Sequence, residues 1–398
     1  MPGSVLARVQ GRAVPVLKGE TAGVDGALEA AARAFPAPSK VAARDCGRLL
    51  LRIAGVLEAR GEEFVQPIAS TIDSFTKRKN VTAARPGGNR RRPMTDLSTR
   101  KLGRTGLPVT MLGYGAMELR GAPRARGISE AEAETILNAV LDAGINYIDT
   151  SIDYGLSEER IGRYIAHRRD EYYLASKCGC LVGAPPAPRG ERSPHVFTRE
   201  NVVAGVEQSL RRMKADHLDV VQFHSSPSQQ TLAEHGAVEA LLDLKNAGKV
   251  RFIGMSGTFP HLRDHIAMGV FDVFQIPYSA VEREHEGAIT AASVAGAGIV
   301  IRGGAAKGAP SPDKRTGLQW SRWQQAGLDD LLQGMTPVEF VLRFTFSHPD
   351  MDTTIVGTVN PVHLQTNLAA LRAGPLPPDL YAEAKRRLTA AGLKPMTA

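Results

Sequence analysis

Residues 145–155 read INYIDTSIDYG and contain the strand-to-loop transition on which the fold assignment depends. The apolar residues 145–148 are typical of a short buried strand, and Asp149 follows them directly. Gly155 allows the chain to turn, and the amphipathic stretch at residues 157–168 then predicts a helix. A strand, a polar loop and a helix form one βα unit, so the number of such units decides the fold.

The same alternation recurs along residues 99–398. Residues 99–102 and 107–112 predict a hairpin around GRTG, and the first barrel strand is predicted within VTMLGYG, residues 109–115. Further strands are predicted at residues 145–149, 172–177, 218–224, 251–256, 273–277, 298–302 and 353–357. Amphipathic stretches predict helices at residues 129–144, 157–168, 198–213 and 237–248, with candidate N-caps Ser129, Ser157 and Thr198 and candidate stops Gly144 and Gly248.

Roughly eight βα units in about 300 residues predict an α/β fold, a (β/α)8 TIM-type barrel with an N-terminal β-hairpin cap. An open doubly wound sheet is the alternative. The sequence offers it less support, because GYGAME at residues 113–118 does not have the spacing of the GxGxxG dinucleotide fingerprint.

Composition places the chain among globular proteins, with 43% apolar and 23% charged residues. We predict a cytoplasmic protein with no membrane span, since the sequence contains neither a long apolar run nor a secretory signal pattern. Cys46, Cys178 and Cys180 are too few for a disulfide framework. Cys178 and Cys180 are interpreted as two reduced thiols, and no metal site is predicted.

The net charge of +8 lies entirely in the N-terminal quarter of the chain. Residues 1–95 carry the whole excess, and the remainder has equal numbers of acidic and basic side chains. The globular part is therefore not basic as a whole, and no nucleic-acid partner is predicted. The oligomeric state does not follow from the sequence.

Polar residues end or follow consecutive predicted strands. Asp149 ends one strand with Tyr154 on the loop behind it, Lys177 ends the next, and His224 ends the third. Ser256, Gln275 and Arg302 lie at later strand ends. Because the chemistry of such barrels sits at the carboxyl ends of the strands, we expect these side chains to meet at one mouth.

Asp149, Tyr154, Lys177 and His224 suit a proton transfer to a carbonyl oxygen. A phenol has a pKa near 10, which a neighbouring buried lysine is expected to lower, and Asp149 would hold that lysine. The imidazole could orient the carbonyl while the phenol protonates the developing alkoxide. Each residue alone fits a cap, a solvated side chain or a packing contact equally well, so the prediction depends on the set.

The motifs that carry these residues resemble the aldo-keto reductases, which are nicotinamide-dependent barrel oxidoreductases. RKLGRTGLPVTMLGYGAM at residues 100–117 resembles their hairpin and first strand, and residues 145–155 their Asp–Tyr segment. LASK, LDVVQFH, VFQIPYS and TTIVGTVNPVHLQTNLAAL resemble later segments, so the likeness covers residues 99–392. It implies that Tyr154 is the general acid/base, tuned by Lys177 and Asp149, that His224 orients the carbonyl, and that Asp153 has no role.

The resemblance also implies a nicotinamide-binding set. Gln275 and Ser256 match positions that contact the carboxamide, although Gly257 replaces the expected asparagine after Ser256. Arg302 stands where relatives have a stacking aromatic ring, and a guanidinium plane could stack instead. The implied cofactor-binding residues are Ser256, Gln275, Arg302, Lys307, Thr358 and Asn367.

The nucleotide end of the cofactor is less clearly specified. Lys307 in the loop at residues 303–308 could meet phosphate, or that loop could be an ordinary surface loop. A helix starting at Thr358 and the matching Asn367 suit the adenosine end. Gly357 and His363 replace the usual grip on a 2′-phosphate, so NADPH, favoured by the family, and NADH both stay open.

The N-terminal part is predicted to be a separate extension, partly helical or disordered. Residues 1–84 form this extension, residues 85–98 a linker and residues 99–398 the barrel. Residues 24–66 resemble a truncated piece of the aldehyde dehydrogenase family, and two helices alone bury too little to be stable. A gene-fusion remnant or translation from Met94 is favoured, with docking on the barrel or an oligomerisation arm as alternatives.

We therefore expect an NAD(P)H-dependent reductase of an aldehyde, ketone or sugar. The alternatives are an NAD-linked sugar or alcohol dehydrogenase working in the oxidative direction, and a low-turnover nucleotide-sensing binding protein. Met117, Trp320 and Trp323 are candidate pocket residues, and they do not identify the substrate.

Overall fold

The computed structural model describes residues 5–9, 12–16, 96–122, 126–184, 191, 193–308 and 317–396. The chain divides into two units, residues 1–89 and 90–398. In the first, strands β1 (Val5–Val9) and β2 (Arg12–Val16) pair antiparallel. The predictions for residues 24–66, for most of the linker and for Met94 lie outside the described residues.

The second unit contains a closed barrel of eight parallel strands, which confirms the predicted fold class. Neighbours pair in the order β10-β11-β12-β5-β6-β7-β8-β9, so each strand lies beside the next one along the chain and β12 closes against β5. The strands are β5 (Leu112–Gly115), β6 (Tyr147–Asp149), β7 (Tyr173–Cys178), β8 (Leu218–Phe223), β9 (Val250–Ser256), β10 (Val273–Pro277), β11 (Gly298–Arg302) and β12 (Thr353–Val356).

Helices follow the strands around the outside of the barrel. In the described part of the chain they are α1 (Glu130–Asp142), α2 (Ser157–Tyr164), α3 (Arg199–Met213), α4 (Gln229–Glu234), α5 (Ala237–Asn246), α6 (Leu262–Ala267), α7 (Glu286–Val294), α8 (Leu318–Gln325), α9 (Pro337–Phe346), α10 (Pro361–Ala373) and α11 (Pro378–Ala390). Described residues include no helix with the length and apolar character needed to span a bilayer.

Two of the three predicted helix caps are confirmed. Ser129 forms a capping box with Glu132 at the start of α1, and the Thr198 side chain accepts the Asn201 N–H at the start of α3. The prediction for Ser157 is wrong, because that residue already lies inside α2. Its buried hydroxyl instead donates to the Ala116 carbonyl at 2.9 Å and ties the helix to the first βα loop.

The predicted hairpin, β3 (Thr99–Lys101) and β4 (Pro108–Thr110), caps the amino-terminal end of the barrel. Gly103 lies so close to the backbone of Gly298 that a Cβ there would overlap it, and Leu102 is fully buried. An interior cluster then fills this end of the barrel with Leu102, Leu107, Val109, Tyr147, Tyr173, Ala175, Val220, Val273 and Val300. The opposite, carboxyl-terminal end is left for polar side chains.

Candidate active site

A buried ion pair forms the base of the site. The Lys177 ammonium donates to Asp149 Oδ1 at 2.5 Å and to the Thr150 carbonyl at 2.8 Å. Both charged side chains are at most 2% exposed. Burial acts to lower the pKa of Lys177, but the charge and the hydrogen bond of Asp149 act against it and the net pKa is raised. Lys177 is therefore a fixed positive charge at neutral pH.

Two glutamine amides complete the surroundings of Asp149. Its Oδ2 accepts from Gln222 Nε2 at 3.0 Å and from Gln275 Nε2 at 2.9 Å. Gln222 was not predicted from the sequence, although it lies on β8 two positions before His224. Every oxygen of this buried carboxylate has a donor, as a buried charge requires.

Tyr154 lies over the ion pair. The Lys177 Nζ atom is 5.1 Å from the centre of the Tyr154 ring, and the Tyr154 and His224 rings meet edge to face with centroids 6.2 Å apart. Burial raises the pKa of Tyr154, and Lys177 opposes it only partly. The expected net lowering of this pKa is therefore wrong for the structure described here, because desolvation outweighs the lysine charge. The phenol is protonated at neutral pH.

His224 faces a thiol and a carboxylate. Its Nδ1 atom is 3.1 Å from Cys180 Sγ and 3.7 Å from Asp153 Oδ1. Burial lowers the pKa of His224 to about 3, so the ring is neutral at pH 7. With the ring proton on Nε2, Nδ1 would accept from the Cys180 thiol and leave Nε2–H to donate to a carbonyl oxygen.

Asp153 is close to the site rather than remote from it. Its Oδ1 accepts the Ser151 hydroxyl at 2.7 Å, and its negative charge opposes the lowering of the His224 pKa. Asp153 was assigned no role from the sequence, because the sequence of its loop does not indicate that it lies near His224. Asp153 lies near His224 because the barrel brings the ends of β6 and β8 close together.

The residues predicted to bind cofactor follow the strands on the other side of the mouth. Ser256 ends β9, and its hydroxyl lies 3.4 Å from the Gln275 amide oxygen of β10. Arg302 ends β11, and Thr358 follows β12. Asn367 is buried on α10. Lys307 lies in the short 3-10 helix Ala306–Gly308, and the structure does not describe its side chain.

The helix near the predicted adenosine end starts later than expected. Its N-cap is Asn360, whose side chain accepts the Val362 N–H at 2.9 Å, and α10 begins at Pro361. Thr358 lies before the cap, and its carbonyl accepts the Tyr114 hydroxyl at 2.8 Å. The helix start was predicted too early because threonine, like asparagine, is a common N-cap residue.

Close packing accounts for two departures from the family pattern. A Cβ at Gly257 would lie 2.8 Å from Leu262 Cδ1, and one at Gly357 would lie 2.5 Å from the Gly115 carbonyl oxygen. A larger residue at either position would force its neighbour to move. The packing of this barrel therefore favours glycine at both positions.

Trp323 is a packing residue, not part of a pocket. It is fully buried, donates its indole N–H to Asp329 at 2.9 Å and meets Phe340 edge to face. Trp320 is partly buried against the main core, and Met117 is exposed.

The sequence and the fold agree with a known family. The model of the aldo/keto reductase family matches residues 111–387, so the chain belongs to that family and is an oxidoreductase that acts on carbonyl compounds. The chain is 25% identical over 291 residues to an uncharacterised oxidoreductase of Bacillus subtilis, covering 69% of this chain and 91% of that one. L-galactose dehydrogenase of Arabidopsis thaliana is 26% identical over 306 residues, or 70% and 89% of the two chains.

A solved structure supports the same assignment. The holo form of an aldo-keto reductase from Bacillus halodurans is similar with a TM-score of 0.64 and 26% identity. The match covers 73% of this chain and 96% of that one. The resemblance of residues 24–66 to aldehyde dehydrogenases is not supported by the family match, which begins at residue 111.

Proposed function

We propose that the protein reduces an aldehyde, ketone or sugar carbonyl to an alcohol with NAD(P)H, with Tyr154 as the general acid. The observation that carries the proposal is the Asp149–Lys177 ion pair lying beneath the Tyr154 ring, with His224 across from it. A buried positive charge, a protonated phenol and a neutral imidazole supply the groups that a developing alkoxide needs.

The proton transfer follows from these charges. As the carbonyl carbon becomes an alcohol carbon, negative charge develops on its oxygen, and the Tyr154 O–H gives its proton to that oxygen. The resulting phenolate is stabilised by Lys177, which Asp149 keeps charged and fixed. His224 donates its Nε2–H to the same oxygen and orients the carbonyl. A proton from solvent then restores the phenol.

The cofactor residues fit a dinucleotide by their chemistry and their order. Ser256, Gln275, Arg302 and Thr358 lie on or just after four consecutive strands, which gives an elongated polar band along one side of the mouth. The hydroxyl and amide of Ser256 and Gln275 suit a carboxamide, and Arg302 presents a planar cation. A bound nicotinamide would supply the hydride.

We further propose that NADH is accepted beside NADPH. Gly357 brings no side chain to the position predicted to meet a 2′-phosphate, and it has no room for one. His363 is exposed at the start of α10 and would replace a permanently charged residue. A loss of fixed positive charge reduces discrimination for the extra phosphate.

The oxidative direction is the second candidate. It is favoured by the similarity to L-galactose dehydrogenase, whose name describes sugar oxidation. In that direction Tyr154 would have to act as a base. Its raised pKa makes the proton costly to remove at neutral pH, so the protonated phenol is better suited to reduction.

Tyr154→Phe tests the proposal. Binding of NADPH and NADH is followed by fluorescence, and rates are then measured on aldehydes, ketones and sugars in both directions. We expect kcat/KM to fall by about 10²–10⁴-fold, the contribution of a positioned acid, with little change in cofactor Kd.

Tyr164→Phe is the matched control, since that phenol lies on α2 and donates to Glu130 outside the barrel. Full carbonyl reduction by Tyr154→Phe would contradict the assignment of the acid. Tight cofactor binding with no turnover on any substrate would support a nucleotide-sensing protein instead. Failure to bind either nucleotide would rule out the reductase.

A further inference from the structure

Three potential metal ligands meet beside the candidate active site. Cys180 Sγ lies 3.1 Å from His224 Nδ1 and 3.6 Å from His195 Nε2. The three ligand atoms all lie within 4.8 Å of one another. From the sequence, Cys178 and Cys180 were predicted to be reduced thiols with no metal site, because His195 and His224 are 15 and 44 positions away from Cys180.

The backbone fixes the three residues independently. Cys180 and His195 form an isolated antiparallel bridge, in which Leu181 N–H donates to the Pro194 carbonyl and Val196 N–H to the Gly179 carbonyl. His224 follows β8, and its N–H donates to the Cys178 carbonyl at 3.0 Å. Main-chain bonds therefore hold the backbones of the three residues close together.

We propose that Cys180, His195 and His224 form a zinc-binding site at the mouth of the barrel, and that Zn²⁺ bound there blocks the carbonyl substrate. The thiolate and two imidazoles are ligands that Zn²⁺ prefers. Zn²⁺ takes the place of the Cys180 thiol proton, which leaves to solvent, and both rings coordinate through lone pairs. No oxidation or reduction is involved.

The distances suit a tetrahedral ion. Zn–S and Zn–N bonds of about 2.3 and 2.0 Å place a sulfur and a nitrogen ligand roughly 3.6 Å apart. The separation between Cys180 and His195 already has this value, and His224 has to move by about half an ångström. His195 Nε2 also exchanges its 2.8 Å contact with the Ser225 hydroxyl for the ion.

Asp153 lies beside the three ligands and balances the charge. Its carboxylate lies 3.7 Å from His224 Nδ1 and interacts with the Cys180 side chain. A thiolate and a carboxylate together carry two negative charges, which match the ion. Lys177 opposes metal binding, because its positive charge acts on both Cys180 and His224. Zinc therefore has to be held by its three protein ligands, with water completing the tetrahedron, because the Lys177 charge repels it.

The blocking effect rests on the proposed function. Zinc on His224 Nδ1 would leave Nε2–H able to donate, but it would fix the ring about half an ångström from its present position and so disturb the orientation of the carbonyl. The ion would lie next to the Tyr154 and His224 edge-to-face pair. We expect zinc to raise the apparent KM for the carbonyl and a chelator to reverse this.

Metal binding is tested without any substrate. The full chain is treated with EDTA, dialysed and titrated with Co²⁺, whose d–d bands report tetrahedral geometry and whose near-ultraviolet band reports a thiolate ligand. We expect one ion per chain with both signals, and Zn²⁺ should displace it. Cys180→Ser should abolish the thiolate band, and His195→Ala should weaken binding by more than about 100-fold, since even supporting residues contribute 10–100-fold.

The two control variants keep all three proposed ligands and remove a different thiol or imidazole. Cys178→Ala removes the neighbouring buried thiol, and His235→Ala removes an exposed imidazole on the barrel surface. Both variants should bind Co²⁺ like the wild type. A thiolate band that persists in Cys180→Ser, or equal affinity in His195→Ala, would overturn the site.

Activity separates the two proposals. Each protein is assayed with and without Zn²⁺ and compared with its own untreated rate, and His195→Ala should lose the sensitivity. Carbonyl reduction that is unaffected by stoichiometric Zn²⁺ would overturn the blocking role. Cobalt spectra of the expected form in a protein with no reductase activity would leave the metal site standing and contradict the reductase.

Discussion

At the scale of single residues, Asp149 decides how the site is held together. The sequence indicated that it would pair with Lys177, because both end neighbouring strands. The sequence did not indicate that two amides, Gln222 and Gln275, would also point at it. Side chains at the same end of neighbouring strands can be predicted to lie near each other. Their hydrogen bonds depend on which side chains of each strand point into the barrel.

Asp149→Asn should destabilise the protein and reduce its activity. It leaves the Lys177 charge buried without its partner, which costs about 3–5 kcal/mol, and it turns an amide NH₂ toward the donors. Chemical denaturation measures the free energy of unfolding. Glu383→Gln, which removes surface ion pairs with Arg386 and Arg387, should change it little. Equal effects of the two substitutions would show that the buried pair does not stabilise the fold.

At the scale of elements, capping residues were predicted correctly where the capping hydrogen bond is local in sequence. Ser129 and Thr198 cap their helices by bonds to residues three positions away. Ser157 has the same local pattern, yet its hydroxyl is used by Ala116 on a different loop. A tertiary contact of this kind overrides a local pattern because the buried hydroxyl has to be satisfied wherever a partner is available.

Gly179→Ala should disturb the strand end that carries Cys180. Gly179 has φ +92°, and a Cβ there would overlap the Phe197 ring. Gly183→Ala is the matched control, with φ +81° and no described atom within 4 Å of the added Cβ. The control should lose about 1–2 kcal/mol of stability from backbone strain, and Gly179→Ala about 1–3 kcal/mol more from the clash. Equal melting shifts would argue against a tight fit at Phe197.

At the scale of the whole molecule, the hairpin and the barrel are joined through Asp352. Its Oδ2 accepts the Gly103 N–H of the hairpin at 3.1 Å and the Ile299 N–H of β11 at 2.8 Å. Burial raises the pKa of Asp352 from 3.8 to about 6, although both N–H groups and Arg100 act in the other direction. The proposed active site lies at the carboxyl end of the barrel, and the hairpin closes the opposite end.

Asp352→Asn should stabilise the protein increasingly as pH rises from about 4 to about 6. In that window the folded state binds the Asp352 proton more tightly than the unfolded state does, so wild-type stability falls with rising pH, by at most about 3 kcal/mol. The amide oxygen can still accept both N–H groups and does not ionise. Denaturation of both proteins across this range gives the difference, with the exposed Asp170→Asn as control. A difference independent of pH would contradict the raised pKa.

The sequence by itself determined the fold class, the strands and the identity of the residues at the strand ends. These features follow from hydrophobic periodicity and turn residues, which act over a few positions. The tertiary structure alone decided that Asp153, Cys180 and His195 join His224, that Gln222 supports Asp149, and that burial dominates the Tyr154 pKa. Barrel closure brings together residues far apart in the chain, and desolvation depends on everything packed around a group, so neither can be deduced from local spacing.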